Sequence, residues 1–383
     1  MKLSSRLNAI PPYVFDEIDK LKRQTENPVD FGVGDPDLPT PDFIINEMEE
    51  QLGKPANHRY PSYNGMRELR ETIASYMKER FNVDADPEKE IMVLIGSKEG
   101  LAHLMQALIE EGDEMLIPSI CYPVYRVQSN LWGARTVEFP VHYENNFTPI
   151  IEDIESLITH STKALMLNYP NNPTGAVVDI DFYAQITEMA YERGIAVIND
   201  CVYADIHSPA LPPPPSMLSS SKGMETGIEF HSLSKTFNMT GWRIGFAVGN
   251  EKLINGLRKI KMNTDSGVFR PIQYAAIEAL ENGSEHIKYN NRIIADRINR
   301  LADALEQKGL EFHRPPATFY ILAKTRMGMN SMEFTKYLIK NAGIITTPGI
   351  GFGQSGDGFI RFSLTLPDSE IDRGIEKIGK LEL

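Results

Sequence analysis

Apolar positions along the chain follow two rhythms. From residue 91 onward, short and largely apolar runs alternate with stretches of helical spacing. Ile91 to Ile95, Met115 to Pro118, Lys163 to Leu167, Ile195 to Ile198, Ile228 to Leu233 and Ile244 to Val248 each read as a strand. Helices are predicted from Gly96 to about Glu110 and over 181–193. Buried strands separated by crossover helices predict a mostly parallel sheet with α-helices on both faces. After residue 270 the rhythm changes. A long helical region from about Ile272 to Lys308 precedes short strands, Phe319 to Leu322 and Phe359 to Leu364, with helices over 331–342 and 368–379. That is the pattern of an α+β unit.

Ahead of the sheet, Val14, Ile18 and Leu21 recur at helical spacing after Pro11-Pro12, following a short arm. Phe31 to Pro41 is rich in Gly and Pro and reads as a loop, and helices are expected from Asp42 to Leu52 and from Gly65 to Arg80. The expected organisation is therefore an α/β fold in three pieces. Residues 1–45 form an arm and part of a small domain, 46–280 a large domain, and 281–383 the rest of the small domain.

Composition narrows the class. With 383 residues the chain is long for one core, and 42% hydrophobic and 24% charged residues fit a globular protein. A net charge of −13 argues against a nucleic-acid or anionic-membrane partner. Two cysteines, Cys121 and Cys201, leave no disulfide framework and fit a reducing compartment. No apolar run follows Met1 to Arg6 and no window has the length of a membrane span, so the chain is expected to be cytoplasmic.

Candidate chemistry falls where the strands end. Lys235 follows a strand and two alternate hydroxyls, Ser232 and Ser234, and Arg243 comes eight residues later between Trp242 and Ile244. An amine among apolar groups and near a cation loses its proton readily, as a Schiff-base lysine must. The hydroxyls and the arginine suit a phosphate; a surface lysine beside a turn is the plain alternative. Gly96, Ser97 and Lys98 stand between a strand and a helix, where backbone N–H groups can hold an anion. Asp200 follows a buried-type strand and needs a partner there, such as a protonated pyridine nitrogen. Asn172 and Tyr203 read singly as a turn residue and a core-edge aromatic. Arg361 interrupts an apolar strand and requires an anion, either a ligand or a structural carboxylate. Gly34 would let backbone approach a ligand closely.

In chain order, Asn172, Asp200, Tyr203, Lys235, Arg243 and Arg361 resemble the class I/II superfamily of pyridoxal-phosphate aminotransferases of fold type I. Asn172-Pro173-Thr174-Gly175, the Asp200–Tyr203 pair and Ser232-Leu233-Ser234-Lys235 carry the likeness, which spans nearly the whole chain. The resemblance implies a homodimer with sites at the subunit interface and pyridoxal 5′-phosphate as cofactor. Lys235 would bind the cofactor covalently and carry the proton, with Asp200 on the ring nitrogen. Tyr203 and Asn172 would meet the ring oxygen, and Tyr122 would stack on the ring. Ser97, Lys98, Ser232, Ser234, Arg243 and the partner's copy of Tyr60 would surround the phosphate. Tyr13, Gly34, Asn172 and Arg361 would meet the substrate, Arg361 by its α-carboxylate.

Within that superfamily, Pro36 to Pro41, His58 to Tyr63, Gly96 to Gly100 and Glu229 to Lys235 resemble the branch that acts on LL-diaminopimelate. Asn199-Asp200-Cys201, Arg270-Pro271 and residues 313–330 depart from it. The expected reaction is transamination with 2-oxoglutarate, in lysine biosynthesis. Aspartate, alanine or N-acetyl-diaminopimelate transamination, C–S β-lysis and a cofactor-binding regulatory module are the alternatives. Two mixed-sign pairs, Lys98 with Glu99 and Asp265 with Arg270, are candidates for reading the far end of the substrate.

Overall fold

The structure, a computed structural model, describes residues 1, 3–10 and 16–382. Tyr13 and Val14 lie outside the described residues; Ile18 and Leu21 fall in a helix over Asp16–Gln24. The strands, in chain order, are β1 (Val29–Asp30), β2 (Ile91–Leu94), β3 (Glu114–Pro118), β4 (Arg135–Phe139), β5 (Thr162–Leu167), β6 (Ala196–Asp200), β7 (Gly227–Ser232) and β8 (Gly245–Gly249). They continue with β9 (Tyr320–Lys324), β10 (Ile344–Ile345), β11 (Thr347–Pro348) and β12 (Phe359–Ser363).

Seven strands make one sheet in the order β2-β8-β7-β6-β5-β3-β4. Every residue of β2, β3, β7 and β8 is buried, which is why β2 and β8 read as continuous apolar runs; β7 instead carries Glu229 and His231 as buried polar groups. Apolar cores lie on both faces: Met92, Leu94, Ile198 and Phe230 pack with the helix Ser97–Leu108, while Val93, Leu116, Val197 and Phe246 belong to the other core. The parallel expectation needs one correction. Strand β8 runs antiparallel to both β2 and β7, so its first residue lies beside the last residues of its neighbours: Gly245 pairs with Leu94 on one side and Ser232 on the other.

A three-stranded antiparallel sheet, β11-β12-β9, and the parallel pair β1–β10 share a separate core. There Val29 and Phe31 pack with Ile321, Ile360, Phe362, Ile371 and Ile378. The predicted long helix from Ile272 to Lys308 is two helices, Arg270–Asn282 and Ser284–Gln307, meeting at Gly283. A Cβ at Gly283 would sit 2.2 Å from the Phe237 ring and 2.3 Å from the Ala279 carbonyl oxygen, so the close approach demands glycine. The chain from Val124 to Leu131, for which no element is predicted from the sequence, forms a helix that carries Tyr125. Leu233, read as the end of a strand, begins the one-turn helix Leu233–Thr236. Among the described residues no helix is long and apolar enough to cross a membrane.

Candidate active site

The ends of β2, β6 and β7 and the start of β8 open on one cavity of about 330 Å³, closed from the other side by the Gly34 loop, β9 and β12. Ligands gather at the carboxyl ends of strands in sheets of this kind. The reversal of β8 explains how Arg243, which precedes a strand, joins residues that follow strands.

Lys235 sits in the turn Leu233–Thr236, whose first N–H groups are capped by Ser232: its hydroxyl accepts from Ser234 N at 3.2 Å. The lysine Nζ donates to the Gly34 carbonyl at 2.9 Å. Burial brings its pKa down to about 8; Asp35 opposes the shift, and Arg361 and Arg243 add to it. At this value a usable fraction of the amine is unprotonated near neutral pH.

Beside it lies an anion cup. Ser97 opens the helix Ser97–Leu108, with Gly96 before it at φ +79°. A Cβ on Gly96 would come within 2.2 Å of Arg243 Nη2, so glycine lets the guanidinium settle over the helix start. Arg243 itself takes the left-handed conformation, φ 56°, and anchors Nη1 on the Thr240 carbonyl at 2.9 Å. Ser232, Ser234 and Lys98 line the same cavity.

Asp200 ends β6 and is 4% exposed. Its Oδ2 accepts from the Tyr125 hydroxyl at 2.7 Å, whereas Oδ1 is buried with no partner among the described residues. Burial raises its pKa to about 6; Tyr125, the Val202 N–H and His231 hold it from going higher. A buried carboxylate oxygen left unpaired at a cavity is a costly arrangement unless a cationic or N–H donor arrives there.

Arg361, on β12 and 7% exposed, has no ion pair with any described carboxylate; its bonds go to neutral oxygens. Its Nη1 donates to Asn172 Oδ1 at 2.8 Å and its Nη2 to the Gly32 carbonyl at 2.8 Å. The guanidinium lies over the Tyr320 ring at 4.1 Å and the Phe352 ring at 5.0 Å. Asn172 keeps its amide N–H donors for the cavity, and among the described residues the Tyr203 hydroxyl bonds only to the Tyr320 hydroxyl, at 3.0 Å. Tyr122 lines the cavity, edge-on to Tyr125 with ring centroids 5.7 Å apart.

The fold thus brings together Gly34, Ser97, Lys98, Tyr122, Asn172, Asp200, Tyr203, Ser232, Ser234, Lys235, Arg243 and Arg361. Tyr60 is not among them: it is 83% exposed and does not line this chain's cavity. Glu99, Asp265 and Arg270 also stay out, which corrects the mixed-sign reading. Glu99 and Asp265 both accept from Lys261, a lysine buried to 0% exposure, at 3.2 and 2.8 Å. Arg270 donates to the backbone carbonyls of Ala56 and Tyr60. These charges hold loops together. Sequence reasoning missed Tyr125, Tyr320 and Asn168. Asn168 Nδ2 donates to the Asp200 carbonyl at 2.7 Å while its Oδ1 accepts from Asn172 N at 2.9 Å, tying the two loops together.

A low-pKa lysine, an anion cup and an unpaired buried carboxylate fit a phosphate-bearing pyridine aldehyde, and they define a Schiff-base enzyme of the pyridoxal-phosphate class. Comparison narrows the class. The profile of aminotransferase class I and II matches residues 26–378. LL-diaminopimelate aminotransferases of Dehalococcoides mccartyi and Aquifex aeolicus are each 42% identical to this chain; the first match covers 100% of this chain and 99% of the relative, the second 100% of both. Substrate-bound BacF from Bacillus subtilis has a TM-score of 0.94 and 34% identity, covering 100% of this chain and 99% of its own. The N-succinyldiaminopimelate aminotransferase of Mycobacterium tuberculosis has a TM-score of 0.92 and 28% identity, covering 99% of each. The chain belongs to aminotransferase class I and II; it is a transaminase, and its cofactor is pyridoxal 5′-phosphate.

Proposed function

We propose that this transaminase takes LL-diaminopimelate as amino donor and 2-oxoglutarate as acceptor, in the cytoplasm, as a homodimer of two-domain subunits. The observation that carries the substrate is the 42% identity to LL-diaminopimelate aminotransferases over the whole chain. The cavity lends physical support, because Asp35 and Lys98, of opposite sign and both exposed, line it along with Arg361. A second amino-acid head needs an acceptor for its ammonium and a donor for its carboxylate.

In this reading Arg361 holds the α-carboxylate and Asn172 steadies the arginine from behind. Ser97, Ser232, Ser234 and Arg243 hold the phosphate, and Lys98 stands at its edge. Asp200 Oδ1 receives the ring N–H, Tyr203 and Asn172 donate to the ring oxygen, and Tyr122 covers the ring face. Bound pyridoxal phosphate supplies the electron sink that makes the substrate Cα–H acidic. Lys235, with its pKa lowered to about 8, would take the Cα proton and return it two atoms away, on the far side of the substrate nitrogen.

For the dimer, the support is a surface of exposed rings and side chains. Tyr60, Tyr63, Met262 and Phe269 all face solvent in the single chain, and residues 58–63 and 262–270 touch through His58–Phe269 and Arg270–Tyr60 contacts. A partner there would bring its Tyr60 toward this chain's cup. The large domain is taken as residues 46–280 and the small one as 1–45 with 281–383.

A test of the reaction uses loaded enzyme and one donor at a time, without an oxo acid. LL-diaminopimelate should abolish the absorption of the lysine-bound cofactor, and 2-oxoglutarate should restore it. Pyruvate release from cysteine or cystathionine under the same conditions, without that absorption cycle, would mark a lyase instead.

A further inference from the structure

We propose that Tyr320 is a positioning residue that links the carboxylate-binding Arg361 to Tyr203. The inference rests on the reading of the site given above and deepens it. Tyr320 opens β9, and Arg361 on β12 pairs across from Leu322, so the two side chains are diagonal neighbours on one sheet face. The Arg361 guanidinium lies 4.1 Å from the Tyr320 ring centroid. From the other end of the same ring, the hydroxyl reaches the Tyr203 hydroxyl at 3.0 Å. A Cβ at residue 34 would stand 2.3 Å from Tyr320 Oη, so Gly34 is the residue that admits this hydroxyl. The Gly34 carbonyl in turn accepts from Lys235. One buried ring, 2% exposed, therefore touches the arginine and Tyr203 directly and abuts the backbone on which Lys235 rests.

Proton counting sets the direction of the hydroxyl pair. Each phenol has one proton, and neither hydroxyl has another hydrogen-bond partner among the described residues. Burial raises both pKa values, so both phenols stay protonated. If the Tyr203 proton points to the cofactor's ring oxygen, the Tyr203 oxygen is left to accept from Tyr320. The donor row is Tyr320 to Tyr203 to ring oxygen, and each bond polarises the next. Donation to the ring oxygen withdraws electron density and makes the nitrogen of the lysine linkage less basic.

The test uses cofactor-loaded enzyme with Tyr320→Phe, Tyr320→Leu, Tyr203→Phe and the Tyr203→Phe/Tyr320→Phe double variant. Three quantities are read: the pH midpoint of the bound-cofactor absorption, the Kd of glutarate as an unreactive dicarboxylate, and kcat with KM. Tyr320→Phe should raise the midpoint by about 0.3–0.5 pH unit and lower kcat about three- to tenfold, with glutarate Kd and donor KM within about twofold of wild type. Tyr320→Leu, which also loses the face under the arginine, should weaken glutarate by about fivefold or more. The double variant should match Tyr203→Phe, because the Tyr320 hydroxyl acts only through Tyr203. A wild-type midpoint and kcat in Tyr320→Phe overturns the proposal, as does additivity in the double variant. If the leucine variant does not load, the isosteric phenylalanine and the cycle decide alone. A wild type whose absorption ignores pH, or that does not bind glutarate, overturns the reading of the site and this inference with it. Normal behaviour there with an indifferent Tyr320→Phe removes the coupling only.

Discussion

Asp200 carries the clearest electrostatic signature of the site. Its carboxyl, ordinarily near 3.8, is raised to about 6 by burial, so the cofactor-free folded state holds the proton more tightly than the unfolded chain does. Stability from this group is full below about 3.8 and is lost as pH rises through about 6, a loss on the order of 3 kcal/mol for two units. Asp200→Asn has no charge to bury. Measured without cofactor, the Tm of wild type should therefore fall relative to Asp200→Asn between pH 4 and pH 7; parallel curves would contradict this. Adding cofactor should reverse the order, since the ring N–H then pairs with Oδ1. Tyr125→Phe removes the donor on Oδ2 and should weaken pyridoxal-phosphate binding by about five- to tenfold, read as the dissociation constant. At this scale Lys235, Asp200 and Arg361 were legible because a charge inside or just after an apolar strand asks for an explanation. Tyr125 and Tyr320 were not, because an aromatic in an apolar run looks like any core residue. Only the folded chain shows where the hydroxyl points.

The elements place these residues. Strands β2, β6 and β7 end at the cavity, and antiparallel β8 begins there, so Ser97, Ser232, Ser234 and Arg243 meet at one end of the strands. Apolar runs and turn residues announced most strands to within one or two positions, but run length says nothing about direction, and the reversal of β8 was invisible. The break at Gly283 was hidden for a similar reason: the glycine is demanded by Phe237, a residue 46 positions away in sequence. Glu99 and Asp265 misled because a fully buried Lys261 uses both, and no local pattern marks a lysine as buried. Gly96→Ala tests the cup. The added methyl must displace the Arg243 guanidinium and also strains a backbone at φ +79°. Cofactor affinity should drop by about tenfold or more, while donor KM at saturating cofactor changes little. Unaltered cofactor affinity would show that Arg243 does not hold the phosphate.

Across the whole molecule, the site is built by two cores at once. Arg361 and Tyr320 come from the small sheet, Lys235 and Asp200 from the large one, and Gly34 from the loop after β1. Tyr60 remains the residue this arrangement leaves outside. If it serves the neighbouring subunit, sedimentation should give a dimer, and Tyr60→Phe should lower cofactor retention without changing the dimer. Mixing a Tyr60→Phe chain with a Lys235→Ala chain should then produce heterodimers with one site lacking both groups and one intact. Recovered activity in that mixture is the expected outcome; none would place Tyr60 in its own chain's site or nowhere near one.

The substrate is the central claim, and relative kcat/KM with 2-oxoglutarate as acceptor tests it most directly. A pocket with an acceptor and a donor at its far end discriminates against donors that leave them unpaired by about 10⁴-fold. LL-diaminopimelate should therefore exceed lysine, alanine, aspartate and the N-acetylated compound, each of which lacks part of the second amino-acid head. If aspartate, alanine or N-acetyl-diaminopimelate gives the higher kcat/KM, the chain is a transaminase of another substrate.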